Sequence, residues 1–376
     1  MQPLTMVDLH GQYLNIKGEI DTAISHVLDT TAFIKGPDVK EFERSLAKYL
    51  NTKHAIGCAN GTDALQLALM ALELPPGAEV ITPDFTFIAT VEVVKLLGFR
   101  PVIVDVDPDT FTIDPARIEE AISDKTKAII PVHLFGQCAD MNAIMEIAKR
   151  HDLYVIEDTA QATGAEYTLA DGSVKKAGTI GQIGCTSFFP SKNLGCFGDG
   201  GALFTDDEEL AAKISQMANH GQGSAYHYDT IGVNSRLDTI QAAILNVKLP
   251  HLDRYNAARR KAADFYDSAF KNIPELITPA RNQDSTHIFH QYTLKLKNTD
   301  RGALMKFLDQ NNIPNKVYYP FPLHKQQPYQ DARFDTQKLE VSKSLCQSVI
   351  SLPMHTELSE QQLEYIAKTV NKFFNQ

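Results

Sequence analysis

Leu153-Tyr154-Val155-Ile156-Glu157-Asp158-Thr159-Ala160-Gln161 decides the fold: a short apolar run that ends abruptly in two carboxylates. Outward from it towards the N-terminus, Lys127 to His133, Pro101 to Val104 and Glu79 to Thr82 repeat the pattern, with segments of helical period between them. This alternation, running from Ile56 onward, argues for an α/β sheet of mostly parallel strands with helices on both faces. Ligands of such sheets bind at the carboxyl ends of the strands, which puts Asp158 where a ligand would be met. A buried carboxylate there needs a cationic or protonated partner. Its plainer alternative is a helix N-cap for the segment that follows.

Upstream, Tyr13 to Leu28 and Val39 to Leu50 read as two amphipathic helices. Downstream come a strand (Ala202 to Thr205), a helix opened by Asp206 or Asp207, and a long helical stretch from Ser235 to about Phe270 that breaks at Pro250. Composition turns loop-like over Pro274 to Ser285, so the domain change falls there or in the helix before it. We expect a large domain over residues 1–250 and a small α+β domain over 251–376. The latter holds a strand (Gln291 to Lys297), a helix (Arg301 to Asn311), a Tyr/Pro-rich loop (Tyr318 to Pro328), a strand (Val349 to Leu352) and a terminal helix. Two domains suit 376 residues with 43% hydrophobic content, because single cores stop growing near roughly 250 to 300 residues.

The net charge of −10 excludes a general nucleic-acid binder, which needs a cationic surface. Five scattered cysteines without CxxC spacing indicate neither a disulfide framework nor a zinc site. Met1 to Leu14 lacks the basic and apolar pattern of a signal peptide, and no run reaches the roughly 18 apolar residues of a membrane span. The expectation is a cytoplasmic protein without membrane insertion.

Three local sequences carry chemistry. Ser187-Phe188-Phe189-Pro190-Ser191-Lys192-Asn193-Leu194-Gly195 sets a lysine after a β-like run, before a loop ending Gly198-Asp199-Gly200-Gly201. A lysine that traps a carbonyl must be partly desolvated so that its amine is neutral some of the time, whereas an isolated lysine is ordinarily a solvated surface charge. Asn60-Gly61-Thr62-Asp63-Ala64-Leu65 enters a helix whose free N–H groups suit a phosphate, or is simply capped by Asn60 or Thr62. Thr82-Pro83-Asp84-Phe85-Thr86-Phe87 offers an aromatic at a strand end, either to stack on a planar ligand or to fill a core.

Taken together and in this order, these motifs make the chain resemble the DegT/DnrJ-type sugar aminotransferases, fold-type-I enzymes that use pyridoxal 5'-phosphate (PLP). The resemblance runs from Val7-Asp8-Leu9 to Ser351-Leu352-Pro353. It implies a large domain with a mostly parallel seven-stranded sheet between helices and a small C-terminal domain. Residue by residue, it implies that Lys192 binds PLP as a Schiff base and that Asp158 pairs with the pyridine nitrogen. Phe87 is expected to stack on the ring, with Gln161 beside it. The phosphate is expected on Gly61, Thr62, Asp63 and Ser187. Asn234 of Gly232-Val233-Asn234-Ser235-Arg236 is expected to reach it from the neighbouring subunit of a homodimer with active sites at the interface. The implied reaction is transamination through pyridoxamine phosphate; relatives that are dehydratases carry histidine in place of this lysine.

Val317-Tyr318-Tyr319-Pro320-Phe321-Pro322-Leu323-His324, His220-Gly221-Gln222 and Asn234-Ser235-Arg236-Leu237-Asp238 resemble the subgroup that aminates UDP-2-acetamido-2-deoxy-3-keto-glucuronate with L-glutamate, for surface polysaccharide or lipopolysaccharide. Arg236 suits an oxyanion by its planar fork. Tyr318, Tyr319 and His324 are expected to line the sugar-nucleotide pocket, or else to form a proline-braced loop packed on the large domain. Competing readings are a dTDP-linked 3-keto or 4-keto deoxysugar as substrate, and a PLP-binding regulator without catalysis. No metal site is expected: Asp105-Val106-Asp107-Pro108-Asp109 has Thr110 and Ala116 where a calcium loop needs Gly and a carboxylate, so it reads as a turn after a strand. His287 and His290, without ligand partners, read as surface residues.

Overall fold

The computed structural model describes residues 3–375. Met1 and Gln2, which open the segment read for a signal peptide, lie outside them, as does Gln376. Seven strands form the main sheet in the order His54–Cys58, Gly201–Thr205, Ile183–Ser187, Tyr154–Asp158, Thr126–Ile129, Glu79–Pro83, Arg100–Val104. Only Gly201–Thr205 runs against the others, pairing antiparallel with both neighbours. The carboxyl ends at Asp158, Ser187 and Pro83 therefore share one edge. Glu79–Pro83 is buried throughout, as a strand covered by helices on both faces must be.

Boundaries differ from the sequence reading for local reasons. The expected strand Lys127 to His133 keeps ladder pairing only over Thr126–Ile129, because Pro131 has no N–H to donate; Val132 adds an isolated bridge to Asp158. The first expected helix starts earlier and is split at Ile16, into Leu9–Asn15 and Lys17–Thr30. Between the two candidate caps, Asp207 is the one used: its Oδ1 accepts from the N–H groups of Glu209 and Leu210 at 2.8 and 3.0 Å. Pro250 sits in a 3₁₀ turn, Leu249–His251, between helices Thr239–Lys248 and Leu252–Phe270. Two short hairpins, Glu166–Lys176 and Gln222–Tyr228, were not expected.

The C-terminal part builds a three-stranded antiparallel sheet, Leu276–Ile277, Tyr292–Leu296 and Val349–Leu352, with a core of its own around Tyr266, Phe270, Tyr292, Leu308, Ile350 and Ile366. Each fully buried Leu, Ile or Phe of this kind contributes about 1.5–3 kcal/mol. One segment leaves that core: Val317, Tyr318 and Tyr319 pack with Phe85, Phe111 and Phe135 at the carboxyl edge of the main sheet. This places the Tyr/Pro-rich loop beside Asp158.

Candidate active site

Strand Tyr154–Asp158 delivers Asp158 buried at the sheet edge. Its Oδ2 accepts from the Thr90 hydroxyl at 3.0 Å and its Oδ1 from the Ala160 N–H at 3.1 Å. The second bond is the cap-like contact of the plainer reading, and it leaves the carboxylate with acceptor capacity to spare. Burial raises the Asp158 carboxyl above the ordinary range, with the Ala160 N–H, nearby Lys192 and Thr90 only partly opposing. A carboxylate in this condition favours a cationic partner.

Lys192 stands on a tight turn after strand Ile183–Ser187, its N–H donating to the Phe189 carbonyl at 2.8 Å. Burial lowers its ammonium to about 8, against the pull of the Asp158 carboxylate, which raises it. Near neutral pH a usable fraction is therefore free amine, the nucleophilic form. Beneath the turn, the buried Lys248 ammonium donates to the Gly195 carbonyl and is itself lowered to about 8 by burial.

Two further groups flank this pair. On one side the Gln161 amide donates to the Tyr319 oxygen at 3.1 Å, and Phe87, half exposed, has its ring centroid 6.4 Å from that of Tyr319. On the other side, helix Gly61–Ala71 is capped by Asn60, whose Oδ1 accepts from the Asp63 N–H at 2.8 Å. Gly61 and Thr62 begin the first turn, where N–H groups have no intrahelical acceptor. A Cβ on Gly61 would lie 2.7 Å from the Ser187 Cβ, so only glycine admits this approach of helix to strand end. The result is a polar cradle of Gly61, Thr62 and Ser187, which suits a phosphate.

The DegT/DnrJ/EryC1/StrS aminotransferase family matches residues 14–371, nearly the whole chain. The chain belongs to this family. Among its relatives, the UDP-2-acetamido-2-deoxy-3-oxo-D-glucuronate aminotransferase of Pseudomonas aeruginosa is 46% identical over 96% of this chain and 98% of its own. A pleiotropic regulatory protein of Geobacillus stearothermophilus is 45% identical, with 98% of each chain covered. In three dimensions, S. venezuelae DesV in complex with a ketimine intermediate superposes with a TM-score of 0.95 at 38% identity, over all of both chains.

The remaining expected residues of this aminotransferase are placed elsewhere. Asn234 is exposed, and its side chain makes no hydrogen bond among the described residues; its backbone bridges to Asn219. Arg236 is half-buried and donates to the Asn219 Oδ1 at 3.2 Å. Tyr318 is half-buried against Tyr319. His324 is buried and committed to Asp84: its Nδ1 lies 2.7 Å from Oδ2 and its backbone N–H donates to Oδ1 at 2.8 Å. These contacts tie the loop to the large sheet, while Nε2 has no hydrogen-bond partner among the described residues.

His287 and His290 are not at the surface; both are buried, because segment Thr286–Gln291 threads between Gly136 and helix Leu252–Phe270. Burial pushes His287 down to about 3 and His290 well below the usual imidazole range. The sequence reading also passed over Thr90, His133 and the side chain of Asn193. Asn193 adjoined the decisive lysine and was the one with a local signal. No cluster of metal-ligating side chains occurs among the described residues.

Proposed function

We propose that this aminotransferase binds PLP through Lys192 and transfers the amino group of L-glutamate to UDP-2-acetamido-2-deoxy-3-keto-glucuronate, giving a 3-amino sugar for surface polysaccharide or lipopolysaccharide. One observation carries the cofactor reading: a buried Asp158 carboxylate, under-supplied with donors, beside a lysine that burial lowers to about 8. The donor set fits PLP at each end, with an acid for a ring nitrogen, an amine for an aldehyde and the Gly61, Thr62 and Ser187 cradle for a phosphate.

When bound, PLP supplies a conjugated ring that delocalises the electrons of a cleaved substrate bond. Asp158 would hold a proton on the ring nitrogen by its charge. Lys192, as the free amine, would take up and give back a proton at its Nζ during the transfer. Phe87 would stack on the ring and Gln161 would sit beside it. Asp63 adds its side chain to the phosphate group, and Asn234 reaches it from the partner subunit of a homodimer. Tyr318 and Tyr319 line the sugar pocket and Arg236 holds the uronate carboxylate. No helix among the described residues is long and apolar enough to cross a membrane, and we place the protein in the cytoplasm.

The substrate choice rests on the Pseudomonas relative and on Arg236. A second reading, a regulator that holds PLP without turnover, rests on the Geobacillus relative; the Asp158 and Lys192 pair weighs against it. The experiment is the visible spectrum of PLP-loaded protein with L-glutamate, the UDP-3-amino-hexuronate product or a dTDP-3-amino sugar. Bleaching by glutamate and the UDP-uronate alone is expected. Bleaching by glutamate only, or by the dTDP sugar, discards this substrate, and no bleaching by any of them, with PLP trapped on Lys192 by borohydride, favours the regulator.

A further inference from the structure

Asn193, the residue after Lys192, is buried with its side-chain amide almost fully engaged. Its Nδ2 donates both hydrogens, to the Asn256 Oδ1 at 2.8 Å and to the Ile288 carbonyl at 3.2 Å. That fixes the orientation of the amide, so the atom facing the His290 Nδ1 at 3.3 Å is Oδ1, which can only accept. The hydrogen must therefore sit on Nδ1 of His290. Burial, with the Lys192 and Arg259 charges nearby, keeps this imidazole neutral. Its backbone is equally held. The His290 N–H donates to the Phe135 carbonyl at 2.8 Å, and Arg259 Nη1 donates to the carbonyls of Phe289 and His290 at 3.1 and 3.2 Å.

From here the bonds continue to the far flank of the site. The Phe135 N–H donates to Gln161 Oε1 at 2.8 Å, and Gln161 Nε2 donates to the Tyr319 oxygen at 3.1 Å. Hydrogen bonds, joined through the covalent frames of His290 and Phe135, thus link the turn of Lys192 to Tyr319.

We propose that Asn193 and His290 are positioning residues for transamination: the His290 Nδ1–H holds the Asn193 amide, which fixes the Lys192 turn relative to Gln161 and Tyr319. The proposal rests on Lys192 being the PLP lysine. Lysine has four side-chain torsions, so its Nζ is placed only as well as its turn is anchored. Misplacement of a reacting group by about 1 Å costs on the order of 100-fold.

The test uses the tautomer. The side-chain NH₂ of asparagine falls near the position of Nδ1 in histidine, whereas that of glutamine falls near Nε2. His290→Asn is therefore expected to keep kcat within about threefold, while His290→Gln and Asn193→Ala lose on the order of 100-fold in kcat with little change in KM. In cofactor-free protein, the pH midpoint for acylation of Lys192, read by peptide mass spectrometry, stays near wild type in His290→Asn. It rises by about one unit in the other two as the turn loosens into solvent. Asp158 is the acid that acts on this midpoint, and it is common to all variants. Equal losses in His290→Asn and His290→Gln, or unmoved midpoints in all three, would overturn the proposal. Borohydride trapping of PLP on a different lysine would instead sink the reading beneath it, while the midpoints in cofactor-free protein still report on the anchoring.

Discussion

Glu157 and Asp158 are neighbours on one strand, both buried, yet they face opposite sides of the sheet and live in opposite conditions. Glu157 accepts four hydrogen bonds: from His133 Nε2 at 2.9 Å and from the N–H groups of Gly178, Ile180 and Gly181 at 2.9, 2.6 and 2.6 Å. Because His133 Nδ1 accepts from the Ala139 N–H at 3.1 Å, its hydrogen is on Nε2 and points at Glu157. Burial alone would raise the Glu157 carboxyl, but His133 and the Gly181 and Gly178 N–H groups outweigh it and hold it below the ordinary range. Among the described residues Asp158 has only two protein donors, and its carboxyl is raised. The acid with every acceptor site filled is framework. The acid left short is the one available to a ligand.

The sharpest way to break this contrast is Asp158→Asn. Activity is expected to fall about 10³-fold, within the range of positioned acid–base groups, and in cofactor-free protein Lys192 should drop below its value of about 8, because the Asp158 carboxylate is what raises it. Since the folded pKa of Asp158 is raised, the folded state loses stability as pH climbs through the interval above the unfolded value. Urea unfolding of the cofactor-free variant at pH 7 should therefore show no loss of stability. Glu157→Gln is the converse. It should cost about 2–4 kcal/mol, by turning an amide NH₂ towards buried donors, while kcat of the folded fraction changes only a few-fold. The depressed Glu157 pKa contributes stability that is present above its unfolded value of about 4.3 and lost as pH falls through the folded value. Acid titration of stability should accordingly be shallower in the variant than in wild type. If Glu157→Gln abolished turnover at unchanged stability, the division of roles would be reversed. The smallest effect is expected from Thr90→Val, which removes one hydrogen bond worth about 0.5–1.5 kcal/mol and raises Asp158 further. Steady-state kinetics should show less than a tenfold loss.

How much of this was legible depended on how local each signal was. Lys192 and Asp158, each with a plainer reading when taken alone, were singled out by the order in which the motifs occur together, and the Asn60 stretch read either as a phosphate site or as a simple cap. Thr90 gave no signal, since a threonine within helix Ala89–Leu96 reads as any other helical residue. His290 was misread as surface because nothing in its neighbourhood reveals that its segment is threaded beneath the Lys192 turn. His324 can be read either way from the sequence, and its pairing with Asp84 is a contact that no local pattern announces.

By itself the sequence determined the α/β alternation, the loop-like change of composition over Pro274 to Ser285 and the residue types at the strand ends, because hydrophobic period and turn chemistry act over a few neighbouring residues. Only the tertiary structure decided which of two adjacent acids is left short of donors, which nitrogen of His290 carries its hydrogen, and which acid His324 pairs with. Those are matters of hydrogen-bond satisfaction among groups far apart in the chain, and a buried polar group is defined by the partners that folding brings to it.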